Sequence, residues 1–245
     1  MDLALKDRRA LVTAASKGLG RACAAALGAE GARVYISSRD PKAIEATGRA
    51  IDAAGWYAAD LSNAGEPEAL VNAAVDTLGR LDILVVNAGG PPAGTFESIA
   101  LEGWEAAVDL TLMSAVRLVK SALPHLKLSD QGRIVFITSI SVRQPIRLLV
   151  LSNSLRAAVT GLAKTLSSEL APERITVNCV APDAIRTDAL RRLGDLGAME
   201  ARAPMKRLGE PDEVGAACAF LCSRQAGYVT GQTLGIDGGS LLGVH

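Results

Sequence analysis

Short apolar runs rich in Val, Ile and Leu alternate with amphipathic stretches from one end of the chain to the other. The runs have the length and β-branched content of buried strands, and the stretches repeat their apolar positions at helical spacing. Strands are predicted near Arg9–Thr13, Arg33–Ser37, Trp56–Ala59, Ile83–Asn87, Arg133–Ser139, Ile175–Val180 and Thr233–Asp237. Helices are predicted over Gly18–Glu30, Pro41–Ala54, Pro67–Leu78, Leu101–Leu123, Leu151–Leu170 and Pro211–Ser223. Pro41, Pro67 and Pro211 suit first-turn positions, where no amide donor is lost. Such βα alternation implies a parallel sheet with helices on both faces, and right-handed crossovers make it doubly wound. Ligands of such sheets bind in the crevice at the strand carboxyl ends. The 245 residues fit one α/β domain, residues 1–245, with no repeat or linker. Arg186–Gly209, with Gly194, Gly197 and Pro204, is the least regular segment, either a lid over the crevice or an ordinary surface loop.

Charge changes this picture little. Twenty-six basic and twenty-six acidic residues are interspersed to a net charge of zero, so no footprint for nucleic acid or membrane appears. No apolar run is long enough to span a bilayer, and Met1–Ala10 is too charged and short for a signal peptide, so a cytoplasmic location is expected. Cys23, Cys179, Cys218 and Cys222 lack zinc-ligand spacing and read as small buried thiols; no metal site is expected.

Chemistry is concentrated at the predicted strand ends. Thr13-Ala14-Ala15-Ser16-Lys17-Gly18-Leu19-Gly20 joins the first strand to the first helix. Small residues there let the backbone approach a pyrophosphate, which the helix amino end favours through its amides and dipole. Positive φ at position 14 would disfavour alanine. The second strand ends in Ser38-Arg39 with no carboxylate to receive a ribose 2′-hydroxyl, whereas Arg39 and Lys17 suit a 2′-phosphate. NADP(H) is therefore expected over NAD(H). Asp60-Leu61 follows the third strand, Asn87-Ala88-Gly89 the fourth and Ser139 the fifth; Ser152 and Arg156 share one helix face beyond it.

These motifs resemble, over essentially the whole chain, the short-chain dehydrogenase/reductases, most closely the bacterial 3-oxoacyl-carrier-protein reductase type. The resemblance implies a Rossmann-type fold, a homotetramer, and nucleotide contacts from the glycine loop, from Asp60-Leu61 at the adenine, from Asn87-Ala88-Gly89, and from Pro182, Asp183, Ile185 and Thr187 beside the nicotinamide. It also implies a tyrosine thirteen residues after Ser139 and a lysine four after that; those positions hold Ser152 and Arg156. The family's relay asparagine is replaced by Thr111, and a glycine of its Pro-Gly turn by Asp183. A seryl hydroxyl is a far weaker acid than a phenol, and arginine holds charge without shuttling protons. No replacement acid stands out among Tyr35, Tyr57, Tyr228, His125 and His245, and Arg143 and Arg147 read better as solvated loop residues than as ligands of an anionic substrate. Two functions remain: an NADP(H)-dependent oxidoreductase of a small carbonyl or hydroxyl compound, or a nucleotide-binding protein with a regulatory or scaffolding role. Ser139 and the cation at position 156 favour the enzyme.

Overall fold

The structure, a computed structural model, describes residues 2–243. Strand residues alternate between two cores, as the period of two demands. Ala10, Val12, Ile83, Val85, Val135 and Ile137 face one core, and Leu11, Leu84, Val86, Ile134 and Phe136 face the other. The strands are β1 (Arg9–Val12), β2 (Arg33–Ser38), β3 (Gly55–Ala58), β4 (Ile83–Val86), β5 (Arg133–Ile137), β6 (Thr176–Pro182) and β7 (Thr233–Ile236). They form one parallel sheet in the order β3-β2-β1-β4-β5-β6-β7. The chain winds outward from β1 to β3, then returns to the other edge of β1 to lay down β4. That reversal opens the ligand crevice of a doubly wound Rossmann-type sheet.

Helices α1 (Gly18–Ala29), α2 (Pro41–Ala50) and α9 (Pro211–Cys222) contribute to the first core; α3 (Glu66–Leu78), α5 (Ser114–Leu126) and α6 (Val150–Glu169) contribute to the second. Pro41, Pro67 and Pro211 occupy first-turn positions, as expected. The four cysteines are free and buried, and burial pushes the Cys179 thiol up to about 12.

Three elements depart from the sequence pattern. Helix α2 stops at Ala50 instead of Ala54, because Asp52 turns left-handed at φ 53° and Ala53 N–H donates back to Gly48 O at 2.8 Å. The single helix expected over Leu101–Leu123 is α4 (Leu101–Ala107), a six-residue π segment (Val108–Met113) and α5, which carries Pro124 in its last turn and runs on to Leu126. Widened π turns tend to mark functional positions, and Thr111 lies inside this one. The segment 186–209 carries α7 (Asp188–Arg191) and α8 (Leu196–Arg202). Its two legs are clasped at the root by Arg186 N–H on Gly209 O (2.8 Å) and Gly209 N–H on Ala184 O (3.0 Å). Arg186 also bridges Glu200 of α8 and Glu210 before α9.

Candidate active site

The glycine loop is held from both sides. Thr13 Oγ1 donates to Asn87 O (2.7 Å) and accepts from Asn87 N–H (2.9 Å), while Asn87 Nδ2 donates to Ala14 O (3.1 Å). Asn87 therefore ties β4 to the loop. Thr47 of α2 adds a bond to Ser16 O at 2.7 Å, a contact that no sequence motif signals. A Cβ on Gly20 would lie 2.4 Å from Ala14 O and 2.8 Å from Asn87 Nδ2, so only glycine lets α1 come this close. Gly18 has φ 55°, and Ala14 has φ 47°, the strained conformation that alanine disfavours. The amino end of α1 has no side-chain cap, leaving its first amides open to a ligand.

At the end of β2, Arg39 is 70% exposed and only 4.0 Å from Asp60 Oδ2, so its guanidinium is free to turn to a ligand. Asp40 does not supply the missing carboxylate. It caps α2, accepting from Lys42 N–H (2.9 Å) and Ala43 N–H (3.0 Å). Asp60 accepts from the Ser62 hydroxyl (2.7 Å) and amide (3.1 Å), which hold its carboxyl below the usual range. Leu61 packs partly buried against the second core.

Ser139 lies two residues past β5, where its Oγ accepts from Ser141 N–H at 3.1 Å and keeps its hydrogen free to donate. Ser152 is half-buried in the first turn of α6, and its hydroxyl has no partner among the described residues. Arg156, one turn on, reaches back under the strand ends. Its Nη1 donates to Ile137 O (2.9 Å) and Thr138 O (3.3 Å), and its Nη2 to Ala88 O (3.5 Å). Withdrawal from water pushes its pKa down to about 10, which leaves it charged at neutral pH. Thr111 is 4% exposed and its buried hydroxyl makes no hydrogen bond among the described residues.

Of the remaining residues, Thr187 caps α7 by accepting from Leu190 N–H (3.2 Å), and its methyl would lie 3.7 Å from a Cβ on Gly18. This sets the root of the 186–209 excursion over the glycine loop. Pro182 ends β6, Asp183 N–H continues the ladder to Ile236 O (3.2 Å), and Ile185 is buried in the first core. Arg143 is a tether, its Nη2 on Thr233 O at 3.0 Å. Asn153, which no motif singled out, clasps the loop before α6 through two bonds to the backbone of Ile146 (2.9 and 3.2 Å). A cavity of about 290 Å³ lies beside β7, lined in part by Asp183, Met205, Arg207 and Asp237; Ser139, Ser152 and Arg156 do not line it. Tyr35 donates to Trp56 O (3.1 Å), Tyr228 is exposed, and His245 lies outside the described residues.

Residues 13–240 match a family model described as enoyl-(acyl carrier protein) reductase. A 3-oxoacyl-[acyl-carrier-protein] reductase of Synechocystis sp. is 35% identical over 98% of this chain and 99% of its own. The chain belongs to the short-chain dehydrogenase/reductase family. Among solved structures, the L-sorbose reductase of Gluconobacter frateurii, complexed with NADPH and L-sorbose, superposes with TM-score 0.93 at 29% identity, covering all of both chains. An NADPH-bound short-chain oxidoreductase from Pseudomonas aeruginosa PAO1, described as containing an atypical catalytic center, gives 0.90 at 30% identity over 98% and 99% of the two chains. A 7α-hydroxysteroid dehydrogenase complexed with NADH gives 0.91 at 29% identity over 100% and 98%.

Proposed function

We propose that this family member is an NADP(H)-dependent oxidoreductase of a small carbonyl or hydroxyl compound, carrying Ser-x-x-x-Arg where the family has Tyr-x-x-x-Lys. The cofactor half of the reading rests on the end of β2. Ser38 leaves no carboxylate there, Asp40 is spent on capping α2, and Arg39 stands exposed beside it. The close-packed glycine cradle and the uncapped amino end of α1 fit a dinucleotide pyrophosphate. Thr13, Ala15, Ser16, Lys17, Gly18, Leu19 and Gly20 would hold the phosphates, and Asp60 and Leu61 the adenine. Asn87, Ala88, Gly89 and Arg156 would hold the ribose side, with Pro182, Asp183, Ile185 and Thr187 at the nicotinamide. The nicotinamide, when bound, supplies hydride exchange.

The chain's own residues then position and polarise. Ser139 and Ser152 offer hydroxyl hydrogens to the substrate oxygen, and Arg156 supplies fixed positive charge. Thr111, in the place of the relay asparagine, buries its hydroxyl without a partner among the described residues and offers no route for a proton from solvent. Losing a positioned acid costs about 10²–10⁴-fold, so slow turnover on ordinary ketones is expected. The excursion 186–209 acts as a lid in this reading, the 1–245 chain works as one domain, and the active species is a cytoplasmic homotetramer.

The alternative, nucleotide binding without reductase chemistry, draws on one observation. Arg156 has already turned three donors to backbone carbonyls. A turnover assay with NADPH, and with NADP⁺ in reverse, over a panel of ketones, aldehydes and alcohols separates the two. Slow turnover that falls further in Ser139→Ala supports the enzyme; tight NADPH binding with no turnover on any member supports the alternative.

A further inference from the structure

Arg156 is a half-buried positive charge, partly withdrawn from water, that has no carboxylate within ion-pairing distance among the described residues. Its contacts are backbone carbonyls of Ile137, Thr138 and Ala88. Nη1 spends both hydrogens, and Nη2 spends one, so Nε–H and one Nη2–H keep no protein acceptor; these adjacent nitrogens belong to a fork that matches planar anions. Arg133 provides the internal comparison. It too is withdrawn and held by carbonyls, with Nε and Nη2 on Ser223 O and Nη1 on Gly132 O. Arg133, however, sits at the carboxyl end of α9, where the helix dipole is negative and compensates the charge. Arg156 lies in the amino-terminal half of α6, a twenty-residue helix with no side-chain cap and no acidic residue in its first turn.

The hydroxyls around Arg156 point the same way. Ser139 has its acceptor side occupied by Ser141 N–H and its hydrogen free, and the Ser152 hydroxyl has no partner among the described residues. Thus Arg156, Ser139 and Ser152 offer donors and positive charge, with no counter-ion to Arg156 among the described residues. A ribose would bring acceptor oxygens and no negative charge, so nucleotide binding alone leaves the guanidinium uncompensated.

We infer that the crevice of this enzyme is an anion site centred on Arg156 and completed by Ser139 and Ser152, and that its substrate carries a delocalised negative oxygen, a carboxylate or an enolate. This rests on the reading of the crevice as the substrate site. It gives the exchanged pair a purpose: lysine to arginine widens a point charge into a fork, and tyrosine to serine removes a ring that would cover it.

The test uses the full chain, with and without saturating NADP⁺, titrated calorimetrically with benzoate, 4-nitrophenol and the neutral benzamide. Nitrophenol absorbance is read at a pH about one unit below its solution pKa, where most of the free probe is neutral. At least one anion is expected to bind about tenfold or more tightly than benzamide, and bound nitrophenol to show the spectrum of its ionised form. Arg156→Gln should weaken anion binding about 10- to 100-fold, the range for a hydrogen bond to a charged group, and Arg156→Lys by less. Benzoate binding alone identifies a carboxylate as the ligand chemistry; nitrophenolate binding alone identifies an enolate. Benzamide binding as tightly as both anions, nitrophenol bound in its neutral form, or an unaltered Arg156→Gln would overturn the inference. The wild-type spectrum decides by itself if Arg156→Gln fails to fold. NADPH titrated in parallel keeps the two readings apart: no anion binding with intact NADPH binding removes the anion site alone, and no NADPH binding removes the proposed function.

Discussion

Ala14→Gly should stabilise this protein, although it deletes a methyl group beside a buried strand end. Ala14 has φ 47°, fixed by Asn87 Nδ2 on its carbonyl (3.1 Å) and by the neighbouring Ala15 N–H on Ser37 O (2.9 Å). An L-residue with a Cβ costs roughly 1–2 kcal/mol in this conformation. Glycine removes that strain but loses about 0.4–1 kcal/mol through its freer unfolded chain. The difference is a gain of about 0.8 kcal/mol, which for a chain of this length raises Tm by about 2–3 °C. The assay is urea unfolding at fixed protein concentration, reading the midpoint with the slope unchanged, alongside a thermal scan. Ala15→Gly is the control, because Ala15 is fully buried in the first core and is not among the positive-φ residues. It should lose stability. A midpoint for Ala14→Gly that falls as far as that of Ala15→Gly would refute the strain argument.

Further outcomes follow from the crevice, the root of the 186–209 segment and the surface. Ser152→Tyr with Arg156→Lys installs a positioned phenol and a cation beside it, so activity on a generic ketone should rise by about 10²–10⁴-fold, and activity on the native substrate should fall as the fork is lost. No change on any substrate would show that Ser152 does not face the nicotinamide crevice. Arg207 holds Glu213 in a bidentate pair (2.6 and 2.8 Å) and pulls its carboxyl from an ordinary 4.5 down to about 2. A depressed folded-state pKa stabilises above the unfolded value and is lost as pH falls through the folded one, so Glu213→Gln should flatten the acid limb of the stability curve between about pH 4.5 and pH 2. An unaltered acid limb would show that the pair does not couple to folding. Light scattering at micromolar concentration should give a tetramer mass; a monomer mass would contradict the assembly.

The sheet and its helices were legible because both signals, period-two burial in strands and helical spacing in between, are strong over six strand–helix alternations and a final strand. Boundaries slipped where backbone geometry outside the pattern intervened, as at Asp52, whose left-handed turn ends α2 early. The π segment at Val108–Met113 was invisible because its apolar spacing continues that of the flanking helices. In the candidate site, Gly20 lies in the first turn of α1, and Asn87 and Arg39 directly follow β4 and β2, as the chain order implies; what the motifs could not carry was partnership. Nothing in Ser-Arg-Asp says that Asp40 is spent on a helix cap. Likewise, nothing in Ser-x-x-x-Arg says that Arg156 folds back onto three carbonyls, because those acceptors come from the end of β5 and the turns after β4 and β5, far away in sequence.

If the end of β2 receives a 2′-phosphorylated dinucleotide, calorimetric titration of NADPH against NADH reads that preference out. NADPH should bind clearly more tightly than NADH. In Arg39→Ala, NADPH should weaken by about 10- to 100-fold while NADH hardly changes, because one charge-assisted contact to the phosphate is lost. NADH binding as tightly as NADPH, or NADPH affinity unmoved by Arg39→Ala, would contradict a 2′-phosphate site at the end of β2.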